Sequence, residues 1–238
     1  MNSGRSAAVP SRVRAGRVGV ETLVGRQRWD DLVPHLLRAG ADPDRTVEQL
    51  KRYATELFEW NRRVSNLMSG NDEQRFVERH LLESLEPAYW LRESGATRWL
   101  DLGSGGGLPA IPLIVAGVGE EWTLVESRRT KTLFLKRVVE ALGLGRVEVR
   151  NERLETTVTT GDHASRFDGF TARATLALAE TLDLAASLVS PGGDAFLWKG
   201  SRREEEIKAQ GAWRSQWRLE GLLGVGTGVN VVCRFKRI

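Results

Sequence analysis

The 238 residues contain one cysteine, three histidines and two methionines. A lone Cys233 excludes a disulfide within the chain and leaves a thiolate metal site without ligands, so no metal is expected. Long apolar runs are missing too. The longest, residues 107–119, is too short to span a bilayer and carries Pro109 and Pro112, so no membrane partner is expected. The start lacks the apolar stretch of a secretory signal, which makes a reducing cytoplasm the expected setting. Acidic residues are scarce at one place only. Residues 1–28 hold six arginines against Glu21, a balance of +5, while the remainder of the chain sums to −1. The reading of this segment is a basic, disordered arm over 1–28. Phosphate binding or a transit-peptide-like role are its alternatives. Hydrophobic residues at 41% and charged residues at 28% are ordinary for a globular protein with room for one sizeable α/β domain and additions.

Glycine, by contrast, is concentrated. Trp99, Leu100 and Leu102 read as a short buried strand, and four of the five residues from Gly103 to Gly107 are glycine. An apolar, helix-like stretch follows from Ile111. Strand, glycine turn and helix form the nucleotide-binding arrangement, in which the ligand lies against backbone and the helix start offers free N–H groups. A dinucleotide fingerprint runs from Gly105 through Gly107 to Ala110, so an NAD-dependent oxidoreductase stays open on glycines alone. The pattern Asp101-x-Gly103-x-Gly105-x-Gly107 is complete, however, and resembles the first motif of S-adenosylmethionine-dependent methyltransferases. Glu126, at the end of the next strand, is the expected acceptor for two ribose hydroxyls of either cofactor.

The periodicity predicts a helix over 29–39 with Pro34 near its first turn, a second capped by Asp44, and a third over 73–85. The third places His80 on or beside its buried face, where periodicity alone makes it a packing residue. From residue 97 strands and helices alternate, as in a parallel sheet. Strands are expected to end at Asp101 and Gly103, Glu126, Arg150, Arg173 and Lys199, with a helix capped by Thr175 and closed by Pro191, Gly192 and Gly193. An antiparallel pair over 213–223 and 229–236 is expected at the edge. The expected organisation is the arm 1–28, a helical extension 29–95 and a Rossmann-like core 96–238, with a mostly parallel sheet, an antiparallel C-terminal edge and N-terminal helices.

An ordered set of residues narrows the reading: Trp60 and Asn61 with Asn66 and Leu67, the run from Arg79 to Leu85, Asp101 to Pro109, Glu126 with Lys131 and Phe134, Arg153 to Glu155, Phe167 and Asp168, Ala172 to Ala174, and Lys199 with Gly200. From about residue 45 the chain resembles the bacterial 16S ribosomal RNA guanine-N7 methyltransferases, the RsmG or GidB family. Ala110 stands where that family usually has Gly, Glu83 replaces a more common Asp, and the interval from Asn61 to Asn66 is one residue longer.

The resemblance implies S-adenosylmethionine contacts at Gly103, Leu108, Leu154, Glu155 and Arg173, beside Asp101, Gly105 and Glu126 of the glycine motif. Candidate RNA contacts are Arg173, Lys199 and His80, with an ion pair to Asp168 as the plain alternative for Arg173. It implies a cytoplasmic monomer acting on 16S ribosomal RNA of the small subunit. No dedicated base is expected, and no catalytic residue is assigned, because guanine N7 carries a lone pair and no proton. A methyltransferase of another substrate and a non-catalytic RNA-binding module are the remaining alternatives.

Overall fold

The computed structural model describes residues 18–64, 67–153, 166–174, 176–209 and 211–238. Its frame is a seven-stranded sheet in the order β3-β2-β1-β4-β5-β7-β6. The five parallel strands are β1 (Arg98–Leu102), β2 (Glu121–Val125), β3 (Val147–Arg150), β4 (Phe167–Arg173) and β5 (Val189–Lys199). The edge pair β6 (Trp217–Val225) and β7 (Asn230–Arg237) is antiparallel. The order reverses between β1 and β4, which opens a crevice at the carboxyl ends of the strands where ligands of open α/β sheets bind.

Both sheet faces are covered, so the inner strands are apolar on both sides. One face is packed by α9 (Leu178–Leu188) around Leu100, Phe170, Leu182, Leu197 and Phe235. The other carries α7 (Ala110–Val115) and α8 (Arg129–Ala141), and onto these the N-terminal helices continue the same core through Tyr53, Leu57, Phe58, Phe76 and Leu81. At its centre Trp99 stacks on Trp122, ring centroids 5.3 Å apart, and lies against Gly169, where a Cβ would come within 2.5 Å of the indole.

Several local expectations change. Of the expected arm 1–28, only residues 18–28 are among the described residues. Residues 20–25 form α1 (Val20–Gly25) with Leu23 buried, and Gln27 and Trp29 are anchored by hydrogen bonds. Arginine content sets the charge of such a segment, whereas Gln27 finds its partners some way along the chain, at Glu73 and Gln74. Pro34 sits in the first turn of α2 (Val33–Arg38), after a 3₁₀ turn at Trp29–Leu32. The cap of α3 (Pro43–Arg63) is Asp42, which accepts from the Arg45 N–H at 3.1 Å, and not Asp44. Thr175 lies outside the described residues. The strand β5 starts at Val189 and runs through Pro191, Gly192 and Gly193, which bulge against β4 instead of closing a helix.

The expected helix 73–85 is three pieces: α4 (Gly70–Gln74), a π-helical turn at Val77–Leu81, and α5 (Leu82–Leu85). Its cause is Gln27. The Gln27 amide donates to Glu73 O at 2.9 Å and Gln74 O at 3.3 Å, and its oxygen accepts from the Val77 N–H at 3.1 Å. A side chain inserted into the ladder displaces the i→i−4 bond, and the turn widens. The described residues also form α6 (Ala88–Glu93), α10 (Arg203–Lys208) and a 3₁₀ turn at Ala212–Ser215.

Candidate active site

The glycine turn after β1 is held in a shape that only glycine takes without strain. Gly103, Gly105 and Gly107 have φ of +72°, +55° and +92°. At Gly107 a Cβ would lie 2.6 Å from Ile111 Cγ1 and 3.2 Å from the Tyr53 hydroxyl. Tyr53 arrives from α3 and donates to Gly106 O at 2.5 Å, so an N-terminal helix fastens the turn. Burial holds that phenol protonated, pushing its pKa well up against the opposing pull of Arg173. Leu108 follows, half-buried against the N-terminal core.

Asp101 lies beneath the turn and is 1% exposed. Its register neighbour on β4, Thr171, donates to Oδ1 at 2.7 Å, and its main-chain oxygen accepts from Ser104 Oγ at 3.1 Å. Oδ2 is buried and has no partner among the described residues. Burial pushes the carboxyl up to about 6, with Ser104 and Thr171 opposing and Glu126 adding to the rise. Such a group calls for a donor that is not part of the apo protein.

Glu126, 6% exposed, accepts from the Gly105 N–H at 3.0 Å and the Arg128 N–H at 2.7 Å. Asn151 reinforces this turn by donating to the main-chain oxygens of Glu126 and Ser127. Two backbone amides fix the carboxylate and leave lone pairs for further donors. The expected contacts Leu154 and Glu155 lie outside the described residues.

Arg173, at the end of β4, is turned toward the N-terminal helices. Nη2 donates to Glu83 Oε2 at 2.7 Å and to His80 Nδ1 at 3.1 Å, while Nη1 is buried without a partner among the described residues. Burial lowers its pKa and Glu83 opposes the shift. The alternative ion pair with Asp168 does not form. Asp168 instead accepts from Arg98 at 3.0 Å and from the Thr97 hydroxyl at 3.0 Å. The next residue, Ala174, has φ +52°, a conformation costly for any residue with a Cβ.

His80 is carried on the π turn. Burial and then Arg173 push it down to about 4, so it is neutral at pH 7. With Nδ1 accepting from Arg173, the proton sits on Nε2, 3.6 Å from Asp72 Oδ1 and beyond hydrogen-bond reach. A neutral, enclosed imidazole is a support for Arg173 and offers no charge to RNA.

Lys199 differs from expectation as well. Its side chain is 11% exposed, pairs with Glu206 at 2.9 Å and donates to Leu176 O at 2.8 Å. It fastens α10 to the start of α9, where Glu206 also accepts from the Leu178 N–H, and is not a free cation for phosphate.

The structure therefore gathers Asp101, Gly103, Gly105, Leu108 and Glu126 at one half of the crevice, with Arg173 bridging to the other. Sequence reasoning missed Tyr53, Glu83 and Asn230. Glu83 accepts from Arg173 and from Asn230 Nδ2 at 2.9 Å, and its main-chain oxygen accepts from the Trp198 indole at 2.8 Å. The signal for Glu83 lay in the motif from Arg79 to Leu85, whereas a partner at position 230 leaves no mark on local sequence. Among the described residues no group of three or more His, Cys, Asp or Glu side chains is placed to hold a metal, and no helix is long and apolar enough to cross a membrane.

The family model described as rRNA small subunit methyltransferase G matches residues 46–219, more than half of the chain. Among similar curated proteins, the ribosomal RNA small subunit methyltransferase G of Cellvibrio japonicus is 37% identical over 169 residues, 70% of this chain and 75% of that protein. The protein of the same name from Sorangium cellulosum is 40% identical over 168 residues, covering 70% and 69%. Among solved structures, a SAM-dependent methyltransferase from Aquifex aeolicus superposes with a TM-score of 0.52 at 16% identity over 71% of this chain and 95% of that one. A ribosomal protein L11 methylase from Lactobacillus delbrueckii subsp. bulgaricus gives 0.52 at 14% identity, over 65% and 78%. At such identities the structures speak for the Rossmann-like methyltransferase fold alone.

Proposed function

Because the chain belongs to the rRNA small subunit methyltransferase G family, we propose that it methylates N7 of a guanine in 16S ribosomal RNA, as a monomer in the cytoplasm. It is an rRNA methyltransferase with S-adenosylmethionine as its cofactor. The dinucleotide alternative from Gly105 to Ala110 falls with that membership.

The observation that carries the site assignment is Asp101 Oδ2, a buried acceptor without a donor beside three left-handed glycines. An α-ammonium group fits that position, as do ribose hydroxyls at the open lone pairs of Glu126 and a carboxylate at the unpartnered Nη1 of Arg173. Gly103, Gly105 and Leu108 would then line the cofactor. When bound, S-adenosylmethionine would supply a sulfonium methyl to the lone pair of guanine N7 and leave as neutral S-adenosylhomocysteine. No protein group has to remove a proton first. The residues act by orientation: Tyr53 and the glycines fix the turn, Glu126 and Asp101 hold the two ends of the cofactor, and Arg173 ties its carboxylate to the acceptor side.

The test is to delete the gene, isolate 16S RNA and cleave it by the borohydride–aniline reaction for 7-methylguanine. One cleavage site should disappear and return with the wild-type gene but not with Arg173→Ala. An unchanged pattern in the deletion strain would overturn the N7 assignment.

A further inference from the structure

We infer that Glu83 reads the Watson–Crick edge of the acceptor guanine, its two carboxylate oxygens accepting from N1–H and the N2 amino group. The inference rests on guanine N7 as the acceptor proposed above and assigns the recognition of that base to one residue.

The place is a cavity of about 820 Å³ at the carboxyl ends of β4 and β5, lined by Glu83, Arg173, Trp198, Lys199 and Asn230 among others. Its volume lies in the range of sites that enclose small organic ligands. Its walls do not suit a phosphate. Among the described lining residues four carboxylates, those of Glu83, Glu180, Glu205 and Glu206, outnumber the cations of Arg173, Lys199 and Arg202, and Lys199 is already paired with Glu206. Such walls suit a neutral base that gains positive charge as it is alkylated.

Glu83 is the prepared group of this cavity. Its side chain is 8% exposed, and both oxygens are oriented, Oε2 by Arg173 at 2.7 Å and Oε1 by Asn230 Nδ2 at 2.9 Å. A carboxylate has about four lone-pair sites, so each oxygen keeps one for a further donor. The Trp198 indole on its main-chain oxygen holds the backbone in place. Two parallel acceptors match guanine in particular. Guanine alone among the four bases has two adjacent donors on its Watson–Crick edge, whereas adenine and cytosine present a ring acceptor there, and uracil has one donor between two acceptors. The edge is free once the base is unstacked.

The experiment compares small-subunit RNA carrying guanosine or inosine at the target. Inosine keeps N7 and N1–H and lacks only the N2 amino group. Wild-type kcat/KM should be about tenfold or more lower on inosine. In Glu83→Gln the guanosine-to-inosine ratio should fall to near one, and in Glu83→Asp it should persist at a reduced rate. Weaker cofactor binding through a loosened Arg173 lowers both substrates alike and cancels in the ratio. A wild-type ratio near one, or an unchanged ratio in Glu83→Gln, overturns the inference. If Glu83→Gln does not fold, Asn230→Ala releases Oε1 and should lower the ratio, and an unchanged ratio there counts equally against it. Failure of the N7 reading is separate: wild-type protein would then leave N7 of both RNAs unmethylated.

Discussion

Replacing Asp101 with Asn should make the cofactor-free protein more stable and its cofactor binding worse. The carboxyl sits at about 6 against an ordinary 3.8. At about 1.4 kcal/mol per tenfold change in proton affinity, that gap corresponds to about 3 kcal/mol of cost for holding it ionised at pH 7. The direction follows from proton counts. Between pH 4 and 6 the folded chain binds more protons at this site than the unfolded chain, so stability falls as pH rises through that window. Asn keeps an oxygen for Thr171 and carries no charge, but its NH₂ takes the place of Oδ2, which has no partner. Part of the relief is therefore lost, leaving a net gain of up to about 2 kcal/mol at pH 7. Urea unfolding of both proteins from pH 4 to 8 isolates this site, because the other carboxylates cancel in the difference. The variant should be no more stable than wild type at pH 4, gain about 2–3 kcal/mol on it as pH rises, and reach its plateau above pH 6. Saturating S-adenosylhomocysteine should shrink or reverse it by bringing an ammonium to the wild-type carboxylate, and calorimetry should show wild-type affinity falling as pH drops below about 6. An advantage independent of pH, or a wild type more stable than Asp101→Asn at pH 7 without ligand, would refute the reasoning.

Two further outcomes follow from the hydrogen bonds. Gln27→Ala leaves the Val77 N–H and the carbonyls of Glu73 and Gln74 without this partner, and should cost about 2–3 kcal/mol in chemical unfolding. Lys199→Ala should lower stability by about 1–3 kcal/mol by stranding Glu206 and Leu176 O, while the slope of RNA affinity against salt stays at its wild-type value.

The parts of this site that were legible in sequence are those fixed by neighbours in the chain. The left-handed turn needs glycines in a row, a buried parallel strand needs Trp99, Leu100 and Leu102 together, and Glu126 ends the next strand as the crevice requires. Three- and four-residue spacing over 73–85 marks a buried face but does not reveal a widened turn, because the cause is Gln27, 50 residues before Val77. The partner of Arg173 was equally hidden. Asp168 is close in sequence and already engaged by Arg98, whereas Glu83 is 90 residues away and brought in by packing of the N-terminal helices. Lys199 ends a strand, as expected, but its surroundings are set by α10, whose orientation no local pattern states.

The bond from Asn230 to Glu83 joins positions 147 apart, and Arg173 to Glu83 closes a loop of 90. During synthesis the helices bearing Glu83 emerge early and the final hairpin last. A nascent chain can thus complete its glycine turn, with Glu126 seated on it, before the acceptor side has its last strut. Contacts so distant in sequence also slow the search for the native pairing. The strut on Glu83 also comes from an inner strand whose Val232, Cys233 and Phe235 are fully buried, so a chain cut short of residue 230 loses the orientation of Glu83 together with part of the core.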